Sequence, residues 1–312
     1  MKFLHCFTNV LSFWLFFMPH AYAIEKPITF VLTNDPIDVV IPAIEKDLYT
    51  LELCIKHIKS YGKNIRNIYV ISPRKLTENA YWINEKSYPF SILDVAKNLF
   101  ETEEELTSYL KNGTQRIGWY LQQLLKLYAP IVIPNISPNV LVLDADTLFI
   151  KPISFMNELN EPLFCDGGKA YCKRFFELPQ KLLPGLTIKF PTRHAIAHHM
   201  LFQKDIILHL LNTIEKIHRM PAWQAICRCV QSLGTNQLEL NGLSEFELYL
   251  NYVFAVSAQG HIRSLKWQDL PTYDQLFYYQ TRGYDFISCH SYIRDKAGYD
   301  KGVASLQHHF KD

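Results

Sequence analysis

Two short runs near the start of the chain are apolar without alternation. Ile37-Asp38-Val39-Val40-Ile41-Pro42 and Ile68-Tyr69-Val70-Ile71-Ser72-Pro73 both end in proline, and between them Leu48 to Tyr61 carries Leu51, Cys54, Ile55 and Ile58 at helical spacing. Strand, helix, strand over about 35 residues predicts a βαβ unit and a parallel sheet. Strands that are apolar throughout belong to a sheet covered by helices on both faces. Glu101 to Leu110 predicts an acidic helix ending at Asn112-Gly113, its glutamates a solvated face. From Thr114 towards Pro130 a second helix sets Ile117, Leu121, Leu124, Leu125 and Tyr128 on a core stripe, with Trp119, Gln122, Gln123 and Lys126 on the other face. Such a polar face is usually solvated, yet an indole beside two amides and an ammonium also suits a ligand wall. Val140 to Leu143 predicts a buried central strand, Ala195 to Phe202 a strand entering a helix from Lys204, and Phe286 to Cys289 a short strand that delivers His290.

Composition narrows the class. With 312 residues, 48% hydrophobic and 20% charged, the chain can bury a large core, which excludes disorder and fibrous structure. A formal net charge of +2 gives no field for gathering a polyanion, so nucleic acid is not an expected partner. No internal repeat divides the chain, and residues 24–312 read as one domain.

The first 23 residues are a separate matter. Met1-Lys2, the apolar stretch Phe3 to Met18, then Pro19-His20 and Ala21-Tyr22-Ala23 have the outline of a secretory signal. His5, Thr8, Asn9 and Ser12 interrupt the run, which is short for a membrane span. Export is the expectation, into a periplasm, a secretory lumen or the medium; an uncleaved signal anchor with membrane association is the alternative. Cleavage would remove Cys6 and leave Cys54, Cys165, Cys172, Cys227, Cys229 and Cys289, as disulfides or as buried thiols. Cys227-x-Cys229 has the wrong spacing for zinc.

The chemistry concentrates after the central strand. Val140-Leu141-Val142-Leu143 delivers Asp144-Ala145-Asp146, and residues two apart in extended chain face the same side. Both carboxylates then aim at the strand-end crevice where open α/β sheets bind ligands. Paired hard oxygens there suit Mg²⁺ or Mn²⁺ bridging to a substrate phosphate. A haloacid-dehalogenase-like phosphatase also carries such a pair, but needs a threonine where this chain has Leu148, and its motif lies near the domain start.

Three groups of residues together resemble another class. Gly118 to Leu127 followed by Val140 to Phe149, then His198-His199-Met200-Leu201-Phe202, then Ser244-Glu245-Phe246-Glu247-Leu248-Tyr249 are similar in order and spacing to GT-A fold glycosyltransferases, in particular glycosyltransferase family 8 and related uncharacterised transferases. The resemblance implies a GT-A-like, Rossmann-like α/β fold with a mostly parallel sheet and flanking helices. It implies transfer of a sugar from a nucleotide-diphosphate donor to a glycan, lipid or protein hydroxyl. Asp144 and Asp146 would hold Mn²⁺ or Mg²⁺, with His290 as a further ligand by position. Glu245 is the expected carboxylate for the acceptor or the donor sugar, with Glu247 beside it and Ser244 as N-cap. Pro42, Ala43, Lys46 and Asp47 after the first strand and Ser72 after the second are donor-binding candidates, together with the helix face from Trp119 to Lys126. Arg294 and Lys296 stand where family 8 places a glycine-and-lysine phosphate motif. His194 and His198 lie at helical i, i+4 spacing without the glutamate of a zinc protease, and within a strand they separate. His199 is therefore the candidate for an acceptor contact or a structural role. The competing reading is a non-catalytic exported binding protein on a degenerate transferase scaffold.

Overall fold

The computed structural model describes residues 27–112, 116–169, 174–234, 242–291 and 293. The expected signal segment, Cys172, Arg294 and Lys296 lie outside the described residues.

Strand β1 (Ile37–Pro42), helix α1 (Leu48–Tyr61) and strand β2 (Ile65–Ser72) form the expected βαβ unit, with β1 and β2 parallel from Val39 opposite Ile68 to Pro42 opposite Ile71. Edge strand β3 (Tyr81–Asn84) adds in parallel to β2. Helices α2 (Ile92–Leu99), α3 (Glu103–Asn112) and α4 (Ile117–Val132) lead to β4 (Asn139–Leu143), which returns beside β1 in parallel. After β5 (Thr147–Phe149), β6 (Leu163–Cys165) and α5 (Arg174–Leu182), strand β7 (His199–Gln203) pairs antiparallel with β4 and closes the sheet in the order β3-β2-β1-β4-β7. The architecture is mixed α/β with a mostly parallel central sheet.

Alternation along β1 explains the layers. Val40 points to a core shared with α4, α6 (Lys204–His218), α7 (Ala222–Gln231) and α8 (Glu245–Val256), while Val39 and Ile41 face α1. The second core extends under a small sheet. After β8 (His261–Arg263), strand β9 (Trp267–Asp269), helix α9 (Leu276–Thr281) and strand β10 (Phe286–Ser288), the order is β5-β10-β9, so Ser288 lies between Thr147 and Asp269.

Asp38 fastens the far end of the main sheet. Its buried carboxylate accepts from Arg66 Nε at 2.9 Å, the Asn67 amide at 3.1 Å and the Ser137 amide at 2.8 Å, joining β1, β2 and the turn into β4. The opposite edge carries Pro42, Ser72 and Leu143, the carboxyl ends of three parallel strands.

Three expectations shift. The acidic helix begins at Glu103, and α4 continues past Pro130 to Val132. Gln123 and Lys126 are not on a wet face: they are 4% and 2% exposed, because α8 packs against that side of α4. Cys54, Cys165, Cys227, Cys229 and Cys289 are buried free thiols. No described helix is long and apolar enough to cross a membrane.

Candidate active site

The carboxyl end of β4 runs straight into Asp144-Ala145-Asp146, so the sheet edge itself places both carboxylates. Backbone bonds fix their positions. The Asp144 amide donates to the His198 carbonyl at 2.9 Å, and the Asp146 carbonyl accepts from the Cys289 amide at 3.1 Å and from the Tyr273 hydroxyl at 2.8 Å. The Thr147 and Ser288 hydroxyls bond across β5 and β10 at 2.9 Å, which holds the segment leading to His290 beside the aspartates.

Under Asp144 lies a buried ion triad. Lys126 Nζ donates to Asp144 Oδ1 at 2.6 Å and to Glu245 Oε1 at 2.7 Å. With its amide nitrogen turned inward, Gln123 donates to both Glu245 oxygens. The i, i+3 spacing of Gln123 and Lys126 aims both side chains at α8. Ser244 Oγ accepts from the Glu247 amide at 3.2 Å and fixes the start of that helix. Burial alone would lower the Lys126 pKa, but the two carboxylates outweigh it and raise it. Burial raises the Glu245 carboxyl despite Lys126, whereas Lys126 and His198 hold Asp144 well below the usual carboxylate range against its own burial. Glu245 is 2% exposed and accepts from Lys126 at 2.7 Å.

Above the aspartates two histidines and a third aspartate meet. His290 Nδ1 is 3.2 Å from Asp146 Oδ2, and His198 Nδ1 is 3.6 Å from Asp144 Oδ2. On the other side of each ring, His290 Nε2 lies 3.3 Å and His198 Nε2 3.2 Å from Asp269 Oδ1, and the two Nε2 atoms are 3.3 Å apart. Burial depresses both imidazoles, yet the surrounding carboxylates overcome it: His198 is raised and His290 is pushed up to about 10. Such a centre draws in positive charge. Two imidazoles and a carboxylate within 4.8 Å are also a donor set for a divalent cation, so the residues present fit one. His198 adopts a left-handed backbone, φ 63°, which turns its ring out of the line of β7.

The structure therefore brings together Asp144, Asp146, His290, Lys126, Gln123 and Glu245 from widely separated segments. Lys46 reaches the rim, its Nζ 3.4 Å from Ser291 Oγ, beside a turn in which Thr50 donates to the Asp47 carbonyl. Pro42 and Ala43 are buried at the end of β1, and the Ser72 hydroxyl donates to the Arg74 carbonyl at 2.7 Å. Trp119 and Gln122 stay half-buried on α4, with Trp119 edge-on to Tyr120. All three catalytic candidates are buried: Glu245 lies against Lys126, and the other two are packed elsewhere. His199 is 2% exposed in a cage of Phe149, Phe155 and Phe286, and burial drives its pKa down to about 3, so it is a neutral core residue. Glu247 is 1% exposed in a separate pocket, accepting from the Ala195 amide at 2.5 Å and from Asn251 at 3.1 Å, with burial pushing its carboxyl up to about 7. Sequence reasoning missed Asp269 altogether and passed over His198 in favour of its neighbour. The strand-then-proline pattern Trp267 to Pro271 was the available signal for Asp269.

Residues 34–274 match the model of a family described as being of unknown function, DUF6492. The chain belongs to that family. The resemblance read from the sequence was to glycosyltransferase family 8, and the family shown is DUF6492. No curated protein matches. Among solved structures, an active-site mutant of LgtC is similar in outline, at 13% identity and a TM-score of 0.41 over 87% of this chain and 95% of that chain.

Proposed function

We propose that this member of DUF6492 is a nucleotide-diphospho-sugar transferase that uses a divalent cation. The observation that carries the reading is the meeting of Asp146 and His290 at 3.2 Å, at the carboxyl edge of the parallel sheet, where a donor diphosphate would bind. A cation held there would supply positive charge against the departing diphosphate. The chain's own residues do the rest. Lys126 holds Asp144 ionised and fixed, Glu245 and Gln123 hold Lys126, and the backbone bonds to Asp144 and Asp146 keep the edge rigid. Lys46 and Ser291 form a polar rim through which a phosphate group would pass. The phosphatase alternative is disfavoured because Leu148, at the place of the needed hydroxyl, is fully buried. Delivery of the domain by export through residues 1–23 is part of the same proposal.

The test is donor hydrolysis without an acceptor. The full chain, incubated with UDP- and GDP-sugars, is expected to release nucleoside diphosphate only when a divalent cation is present. A folded sample that shows neither release nor a thermal shift with any nucleotide and cation would refute the proposal in favour of a binding protein.

A further inference from the structure

Among the described residues, the donor atoms that gather closely enough to hold an ion come from His198, Asp269 and His290. Asp144 spends one oxygen on Lys126 at 2.6 Å and turns the other to His198 Nδ1 at 3.6 Å, and Asp146 turns one to His290 Nδ1 at 3.2 Å. His290 thus has a carboxylate at hydrogen-bond distance on Nδ1 and His198 has one nearby at 3.6 Å, similar to the arrangement by which a ligating imidazole is usually oriented with Nε2 towards the metal. Both Nε2 atoms converge on Asp269 Oδ1. The three donors form a triangle with edges of 3.2, 3.3 and 3.3 Å. One face of a tetrahedron with metal–ligand bonds of about 2.0 Å has edges of about 3.3 Å, and those bond lengths are the ones zinc makes to imidazole and carboxylate. Magnesium, which prefers oxygen in an octahedron at about 2.0–2.1 Å, needs cis edges nearer about 2.9 Å.

We propose that His198, His290 and Asp269 bind a nitrogen-accepting transition ion of the Zn²⁺ or Co²⁺ type directly and without nucleotide, while Asp144 and Asp146 act as positioning residues for the two histidines. This deepens the transferase proposal, resting on its divalent cation and not on its sugar. It reassigns the ligands expected from the sequence, where Asp144, Asp146 and His290 were to hold the ion.

The experiment is a titration of the chelator-treated full chain with Co²⁺, without nucleotide, followed by the visible absorption of low-coordinate Co²⁺. One equivalent is expected to bind, and a tenfold excess of Mg²⁺ should not displace it. Asp269→Ala and His198→Ala should abolish the band, whereas Asp146→Asn should keep it at about 10- to 100-fold weaker affinity. Circular dichroism and melting of the metal-free variants report their folding. Should a variant fail to fold, Cu²⁺ electron spin echo spectra of the wild-type chain decide the ligand set: two imidazoles support the assignment and one overturns it. Binding only in the presence of UDP or GDP, or loss in Asp146→Asn with Asp269→Ala unaffected, overturns the ligand assignment and leaves the transferase reading standing. No binding with or without nucleotide overturns both.

Discussion

Lys126→Met tests whether the buried triad is held by charge. Lys126 and Glu245 are each 2% exposed, and the ammonium sits 2.6 and 2.7 Å from its two carboxylates. Methionine keeps most of the volume and removes the cation. Glu245 is then left buried beside Asp144 and escapes by taking a proton. Burial already raises that carboxyl in the wild type, and losing the ammonium raises it further, so holding it protonated in the fold at pH 7 costs additional stability. The loss expected when one partner of a buried ion pair is removed is about 3–5 kcal/mol. The sign with pH is distinctive. A carboxyl whose folded pKa is raised loses stability as pH climbs above the unfolded value, so the variant's deficit should be smaller at pH 5 than at pH 7. Urea denaturation at the two pH values measures both. The double variant Lys126→Met/Glu245→Gln, with no carboxyl left to protonate at that position, should recover most of the pH-dependent part. A loss below about 1 kcal/mol at pH 7, or the same loss at both pH values, would show that Lys126 contributes packing and little else.

Glu247 gives a second pH signature: with its folded pKa near 7 against an ordinary 4.5, it should lower wild-type stability by about 3 kcal/mol as pH rises from 4.5 to 7. Glu247→Gln should gain that amount relative to wild type over the same interval, and parallel pH profiles in urea would count against the assignment. Because His198 sits at φ 63°, His198→Gly should be more stable than His198→Ala by about 1 kcal/mol in metal-free thermal melts; equal melting points would mean the left-handed backbone is absent in solution. Asp38→Asn, which removes the charge that Arg66 and two backbone amides share, should cost about 2–3 kcal/mol in chemical denaturation without changing Co²⁺ affinity, since it lies at the far end of the sheet.

How much of this was legible in the sequence depends on whether a residue's place is set locally or by pairing. The first βαβ unit, the central strand and the capped helix at Ser244 were readable because apolar periodicity and capping chemistry act within a few residues. Gln123 and Lys126 were misplaced for the complementary reason: helical spacing says which residues share a face, and only the packing of α8 says that this face is covered. Polar composition suggested solvent, yet an ammonium with two carboxylates and an amide is a satisfied interior group.

The histidine pair shows the limit most sharply. In a strand, neighbours point to opposite faces, so the choice between His198 and His199 turns on where β7 begins and on one φ angle. β7 starts at His199, whose ring goes into the aromatic core, and the left-handed turn at the preceding residue sends His198 towards the aspartates. Nothing in a non-glycine sequence announces a positive φ. Asp269 is hidden in another way. Its strand is three residues long, and it joins the cluster only because β10 pairs with β5 on one side and β9 on the other, bringing Thr147, Ser288 and Asp269 into one row. That row is a property of register. The aspartates of the central strand were therefore visible from composition and periodicity alone, whereas the atoms that surround them came from pairings that no local pattern encodes.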